Sequence, residues 1–141
     1  LRLSSSLQTI GVETFCACYS ITRLELPSTL HTIKRKGFGS CSSLQVIAPQ
    51  QQQETLSLKT IEEEAFDSCI DLIAIPHLPF LVTIGPAAFS DCYELAVFPH
   101  LPSLVTIGPK SFFRCRSLTE VTLGPSVTSA ARNSFDECDS R

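Results

Sequence analysis

Apolar side chains recur along the whole chain at fixed positions. A phenylalanine returns after 23, 28, 23, 23 and 23 residues, and a cysteine follows each of these phenylalanines by three positions. A leucine or valine lies eight positions before each phenylalanine, and an isoleucine lies five positions before it in every unit but the last. A period of this length predicts an array of stacked structural repeats. The recurring pairs are Phe15 and Cys18, Phe38 and Cys41, Phe66 and Cys69, Phe89 and Cys92, Phe112 and Cys115, and Phe135 and Cys138.

The repeated unit reads L-x-x-I-x-x-x-x-F-x-x-C-x-x-L-x-x-I, with a proline usually close behind it. One such unit cannot bury its own apolar side chains, whereas stacked units bury them in continuous columns. The sequence therefore predicts a repeat solenoid of about six units of about 23 residues. Short parallel strands would form one face, and short helical or 3₁₀ turns would carry the phenylalanines. Gly85 and Gly108 would supply a tight bend after the isoleucine.

Both halves of the unit resemble the BspA-like leucine-rich repeats, also called the Treponema pallidum type. Residues 84–95 read I-G-P-A-A-F-S-D-C-Y-E-L, and residues 107–118 follow the same motif with Ser111 in place of alanine. Residues 24–27, L-E-L-P, match the strand half. The resemblance covers essentially the whole chain and implies an α/β-type leucine-rich repeat, a right-handed arc with its strands on one face. It also implies a surface or secreted adhesin of bacteria or protists, or an intracellular scaffold.

The domain organisation follows from the same pattern. We expect a single array over residues 1–141, cut within a repeat at both ends, so that flanking repeats of a longer parent chain would be its neighbours. The second unit is longer than the others, and its extra residues lie in 49–57, a segment that includes four consecutive glutamines. Insertions in repeat arrays lie in surface loops. This predicts a disordered bulge, with a contact element as the alternative.

The outward positions of the predicted strands form a surface that we call the strand face. Because strand side chains alternate, placing Leu24 and Leu26 inward leaves Arg23 and Glu25 outward. Repeat proteins bind partners on such faces, and an apolar centre with polar ends is typical of an interface. Coverage by other parts of a parent chain is the alternative. The candidate partner-binding residues are Arg23, Glu25, Gln45, Val46, Ile73, Ala74, Ala96, Val97, Thr119 and Glu120.

Seven cysteines invite a disulfide or zinc interpretation, yet six of them occupy one repeat position. A zinc site needs ligands that converge on a point, whereas a column of thiols forms a line. We predict buried structural thiols, with Cys16 as the one candidate for an exposed cysteine, and no metal or other cofactor. Oxidation of neighbouring thiols in pairs is the alternative. His77 and His100 occupy equivalent positions and should stack, and unit duplication explains them better than a metal or pH-sensing pair.

The charge pattern argues against a nucleic-acid partner. The net charge is −3, which gives no overall attraction to nucleic acid or to an anionic membrane. Residues 34–36, Lys-Arg-Lys, resemble a phosphate-binding patch, but the repeat register stacks them against three glutamates at 62–64. No stretch approaches the roughly 20 apolar residues of a membrane helix, so we predict no membrane insertion in this segment.

The function favoured by these features is recognition. No glycine-rich phosphate loop, nucleophile elbow or other catalytic arrangement is present in the sequence, so we predict that the chain is not an enzyme. The strand face would bind a protein or a glycan. The alternative is a structural spacer or adhesin segment of a larger repeat protein, with no ligand of its own, which the near-duplicate third to fifth units favour. The sequence leaves the compartment open between cytoplasm and cell surface.

Overall fold

The structure is a computed structural model, and it describes residues 1–138. Within that range, the only regular secondary structure is a series of short strands, which are joined by turns. The strands are β1 (Thr9–Ile10), β2 (Arg23–Leu26), β3 (Thr32–Ile33), β4 (Val46–Pro49), β5 (Thr60–Ile61), β6 (Thr83–Ile84), β7 (Thr106–Ile107) and β8 (Ser129–Ala130).

The strands form two parallel ladders rather than the single strand face that we predicted. One ladder is a six-stranded sheet of order β1-β3-β5-β6-β7-β8, built from one dipeptide of each unit. The other pairs β2 with β4 and continues as single bridges from Val46 to Ala74 and from Ala74 to Val97. The second ladder is the predicted strand face. The first was not anticipated, although five Thr-Ile dipeptides at one repeat position are a strand signal.

The register is maintained across every unit, as the predicted solenoid requires. Thr32 pairs with Thr60 although 28 positions separate them, and Thr60 pairs with Thr83 at the ordinary spacing of 23. The extra residues of the second unit therefore lie outside the ladder. Since each unit repeats the same path, equivalent side chains lie above one another, and the predicted fold is confirmed.

Stacked phenylalanine rings form the centre of the core. Successive rings of the column lie 5.2–5.4 Å apart between centroids, with interplanar angles of 5–9°. Aromatic pairs of this kind contribute about 0.5–1.5 kcal/mol beyond the area that they bury. The four inner rings are fully buried, whereas Phe15 and Phe135 are half-buried because each has a ring neighbour in the column on one side only.

The segment that carries each phenylalanine is a run of turns, not the helical or 3₁₀ turn that we predicted. In the second unit, Lys36, Phe38 and Ser40 donate their backbone N–H groups to carbonyls of the next unit, while Gly37 donates three residues back. Lys36 and Ser40 have φ values of 54° and 58°. A helix keeps its hydrogen bonds within the segment and its φ negative, so this path excludes one. Residues 1–138 therefore contain no helix that is long and apolar enough to cross a membrane.

The recurring glycines of the unit serve a purpose other than the predicted one. No glycine in residues 1–138 has positive φ, so conformational freedom does not explain Gly85 or Gly108. A Cβ on Gly108 would lie 2.6 Å from Pro86 N, and one on Gly85 would lie 2.7 Å from Glu62 C. Glycine is needed because the backbones of neighbouring units approach too closely for a side chain.

The glutamine-rich insertion at residues 49–57 contacts the array at several residues. Leu56 is 2% exposed and joins the apolar core. The Ser28 hydroxyl donates to Glu54 Oε1 at 2.7 Å, and the Gln50 side-chain amide donates to the Leu3 carbonyl. The loop is therefore held against the array at several points along its length.

Candidate interaction surface

The strand face lies on the outer side of the second ladder. In β2 the side chains of Leu24 and Leu26 are buried, while that of Arg23 is exposed. In β4 the side chain of Ile47 is buried, and that of Val46 is 37% exposed. The alternation of strand side chains thus produces one buried and one outward row.

A second outward row lies one position before the strands begin, where alternation does not apply, so that two outward rows run across the units at right angles to the strands. The amide of Ile73 donates to the Gln45 carbonyl at 3.1 Å, and the amide of Ala96 donates to the Ile73 carbonyl at 3.0 Å. These bonds hold neighbouring units in register beyond β4, where the ladder continues as single bridges. The first row contains Arg23, Val46, Ala74 and Val97, with Glu120 one repeat further on, and the second contains Gln45, Ile73, Ala96 and Thr119.

The middle of the strand face is an apolar patch, defined as Val46, Ile73, Ala74, Ala96 and Val97. Ile73 is 50% and Val97 57% exposed, which is high for large aliphatic side chains. A shallow depression between Val46 and Ile73 is floored by the inward-facing Ile47 and Ile75. The patch is therefore a continuous aliphatic surface over three units.

The N-terminal border of the apolar patch is an ion-pair network. Glu25 Oε1 accepts from Arg23 Nε at 3.3 Å, and Glu25 Oε2 accepts from Arg2 Nη1 at 3.0 Å. These two hydrogen bonds, that of Arg23 foremost, lower the pKa of Glu25. Because the groups are solvent-exposed, the network contributes little to stability. At the opposite border, Thr119 and Glu120 are exposed.

A second, acidic border was not recognised from the sequence. Asp71 and Glu94 line one depression together with Gln45 and Ile73. Neither carboxylate takes part in any of the six ion pairs found in residues 1–138. The available signal was register, since both residues directly precede the same leucine of the motif, 23 positions apart. The patch is thus flanked by negative charge that is not neutralised within the described chain.

The cysteine column is buried at its centre and half-buried at its ends. The four central thiols, Cys41, Cys69, Cys92 and Cys115, are fully buried, and each donates to a carbonyl of the preceding unit at 3.1–3.3 Å. Burial raises the pKa of Cys41 to about 11, which keeps it in the thiol form. Cys16 was predicted to differ from the column in exposure, but Cys18 is half-buried just as Cys16 is.

Two of the three cations of the basic run at residues 34–36 pair with glutamates of neighbouring units. Lys36 Nζ lies 3.4 Å from Glu64 Oε2, as the predicted stacking requires. Arg35 instead pairs with Glu13 of the preceding unit at 3.3 Å, and its backbone N–H donates to Glu62 Oε2. These contacts leave Lys34 as the one cation of the run that takes part in no ion pair found in residues 1–138.

The two histidines lie at equivalent places in their units. His77 and His100 are both exposed, each between two prolines that follow the strand face. Within residues 1–138, no group of three or more His, Cys, Asp or Glu side chains is arranged to hold a metal ion.

Comparison with protein families gives a match along the whole chain. The profile of the BspA type leucine rich repeat region, which contains six copies of the repeat, matches residues 1–96 and 51–141. No curated protein sequence matches the chain at a significant level.

Three solved structures share the fold. The T. pallidum leucine rich repeat protein is 30% identical, with a TM-score of 0.77, over 87% of this chain and 57% of its own. A leucine-rich repeat protein from Eubacterium ventriosum is 17% identical, with a TM-score of 0.70, over 98% of this chain and 42% of its own. One from Bacteroides ovatus is 21% identical, with a TM-score of 0.58, over 90% of this chain and 40% of its own. This chain therefore covers between two fifths and three fifths of the length of these proteins.

Proposed function

This chain belongs to the BspA-type leucine-rich repeat family, and on that basis we propose that its strand face is a recognition surface for another protein. Leucine-rich repeat proteins are in general non-enzymatic scaffolds and protein-interaction modules. The observation that carries the proposal is the apolar patch, because monomeric surfaces rarely leave large aliphatic side chains in a contiguous group. Its polar borders complete the arrangement of a typical interface, an apolar centre inside a polar rim.

The rigidity of the surface also supports recognition. The patch residues sit on a backbone that is bonded from unit to unit, over a core of fully buried leucine and phenylalanine side chains. A partner would therefore meet a preformed surface, and little conformational entropy would be lost on binding. Aliphatic contacts in the centre would supply most of the affinity, as in interfaces whose energy is concentrated in a few central residues.

A site-specific photo-crosslinker tests the proposal. Benzoylphenylalanine replaces Val97 on the strand face or, as a matched control, Val12, which is 52% exposed but lies beyond the Thr-Ile ladder. In extract of the cells that make the protein, we expect a covalent adduct with a defined protein from position 97 only. The same adduct should disappear when Ile73→Asp is added. Adducts of equal yield from both positions would contradict the proposal.

The structural spacer is the second candidate function, and the near-duplicate third to fifth units favour it. A spacer has no ligand of its own, so the crosslinking experiment would yield no adduct at position 97 that depends on Ile73.

A further inference from the structure

The apolar patch has a chemically distinct surrounding that specifies the kind of partner it fits. We propose that the partner is a basic-apolar protein segment, one that presents aliphatic side chains beside lysine or arginine. This inference rests on the proposed recognition function and adds the partner's chemistry to it. Two features carry it: the aliphatic centre of the strand face, and the unneutralised carboxylates of Asp71 and Glu94 along its border.

The charges around the patch are asymmetric. Arg2 and Arg23, the cations at the N-terminal border, already share the carboxylate of Glu25. Asp71 and Glu94 have no ion-pair partner in residues 1–138. Arg116, one repeat beyond Tyr93, lies over the Tyr93 ring at 5.1 Å and pairs with neither carboxylate. The two arginines exceed Glu25 by one positive charge at the N-terminal border, whereas the charge available to a partner beside Ile73, where Asp71 and Glu94 lie, is negative.

The acidic groups and the aliphatic centre are close enough to be contacted together. Asp71 and Glu94 line the same depression as Ile73, one of the most exposed residues of the patch. An aliphatic side chain seated against Ile73 would bring an adjacent lysine or arginine beside one of these carboxylates. An acidic partner segment would meet repulsion at the same place. Charges at an interface rim mainly set selectivity and association rate, while the apolar centre sets affinity.

The dimensions suit a short extended segment. Val46, Ala74 and Val97 lie on three consecutive units, so the first and last are two strand spacings or about 10 Å apart. An extended chain covers that distance in about three residues, and residues on either side would reach the borders. A segment of about five to seven residues can therefore engage the patch and its acidic border at once.

Random peptide display provides the test without knowledge of the natural partner. Phage carrying random peptides of about seven residues are panned on the folded protein and counter-selected on the Ile73→Asp/Val97→Asp variant. We expect recovered peptides to be enriched in Ile, Leu or Val together with Lys or Arg. A synthetic peptide from this set should bind Asp71→Asn/Glu94→Gln about tenfold more weakly at low salt, measured by fluorescence anisotropy.

A matched control separates the border from overall charge. Glu63→Gln/Asp136→Asn removes the same two kinds of charge from exposed positions away from the strand face, and it should leave the peptide's affinity unchanged. Binding to the unaltered protein should also weaken as salt is raised, a readout that needs no variant to fold.

The outcomes distinguish this inference from the function on which it rests. Peptides that depend on Ile73 and Val97 but carry no excess of Lys or Arg would overturn the basic-apolar partner and leave recognition standing. Equal weakening by both charge variants would overturn it too. If no recovered peptide depends on Ile73 or Val97, the recognition function itself fails. Concentration-dependent dimers that Val97→Asp abolishes would replace the proposed partner by a second copy of the chain.

Discussion

The close approach of neighbouring units at Gly108 makes Gly108→Ala the most direct test of how the array is packed. The added Cβ would lie 2.6 Å from Pro86 N and 2.8 Å from Gly85 C. Both are backbone atoms, so the contact cannot be relieved by a side-chain rotation. Carbon atoms pack at about 3.5–4.0 Å, and the two units must therefore separate by several tenths of an ångström or more.

The cost of that separation can be worked out from the contacts that hold the two units together. The Gly108 amide donates to the Ile84 carbonyl at 2.8 Å, and a shift of this size would weaken or break the bond, which costs about 1 kcal/mol. The Phe89 and Phe112 rings, 5.4 Å apart, would lose part of their dispersion contact. Overpacking of this kind costs about 1–3 kcal/mol, and the lower entropy of the unfolded alanine chain recovers about 0.4–1 kcal/mol. We expect a net loss of about 2 kcal/mol.

Urea unfolding followed by circular dichroism measures this loss, with Gly39→Ala as the matched control. Gly39 also has negative φ, but its Cβ would meet its nearest neighbours, Glu64 O and Lys36 Cα, at 3.4 and 3.5 Å. Gly39→Ala should therefore be neutral or stabilising by up to about 1 kcal/mol. If both substitutions change the free energy of unfolding equally, close backbone approach is not the reason for glycine at position 108.

Burial and charge lead to three further predictions. Alkylation of the folded protein should modify Cys16 and Cys18 and leave the four central thiols unmodified until urea is added. Intact mass counts the modified cysteines, and reaction of the central thiols before urea is added would contradict their burial. Phe89→Ala removes a fully buried ring and should lower the free energy of unfolding by about 3–5 kcal/mol. The control Phe80→Ala, at a side chain that is 50% exposed, should lower it by no more than about 1 kcal/mol. Equal losses would argue against the ring column as the core. Burial and neighbouring carboxylates raise the pKa of Asp67 from 3.8 to about 6, so the folded state binds its proton more tightly and stability falls as pH rises through that interval. Asp67→Asn should therefore stabilise the protein at pH values above about 7, by no more than about 1 kcal/mol after solvent screening, and should leave its stability unchanged below about pH 3. A gain in stability that persists at low pH would show that titration of Asp67 is not the cause.

The repeat, the family and the residues of the core could all be predicted from the order of the amino acids. Six phenylalanines and six cysteines in one register define columns that only stacking can bury, and the family profile confirms this interpretation. The outward row of the strand face was also predictable, because alternation is a property of any strand. These features follow from the periodicity of the sequence, which does not depend on the details of three-dimensional packing.

Features that depend on contacts between units could not be predicted in the same way. The turns around each phenylalanine are not helical because every second backbone N–H group donates to a carbonyl of the next unit. The local sequence does not show that these hydrogen bonds leave the unit. Gly108 is required by the backbone of Gly85 and Pro86 in the preceding unit, not by its own φ. Register relates Asp71 to Glu94 in the sequence, but only the path of the turns places both carboxylates beside Ile73 of the strand face. Repetition specifies which side chains stack, but distances between stacked backbones decide how the chain turns and which charges remain available to a partner.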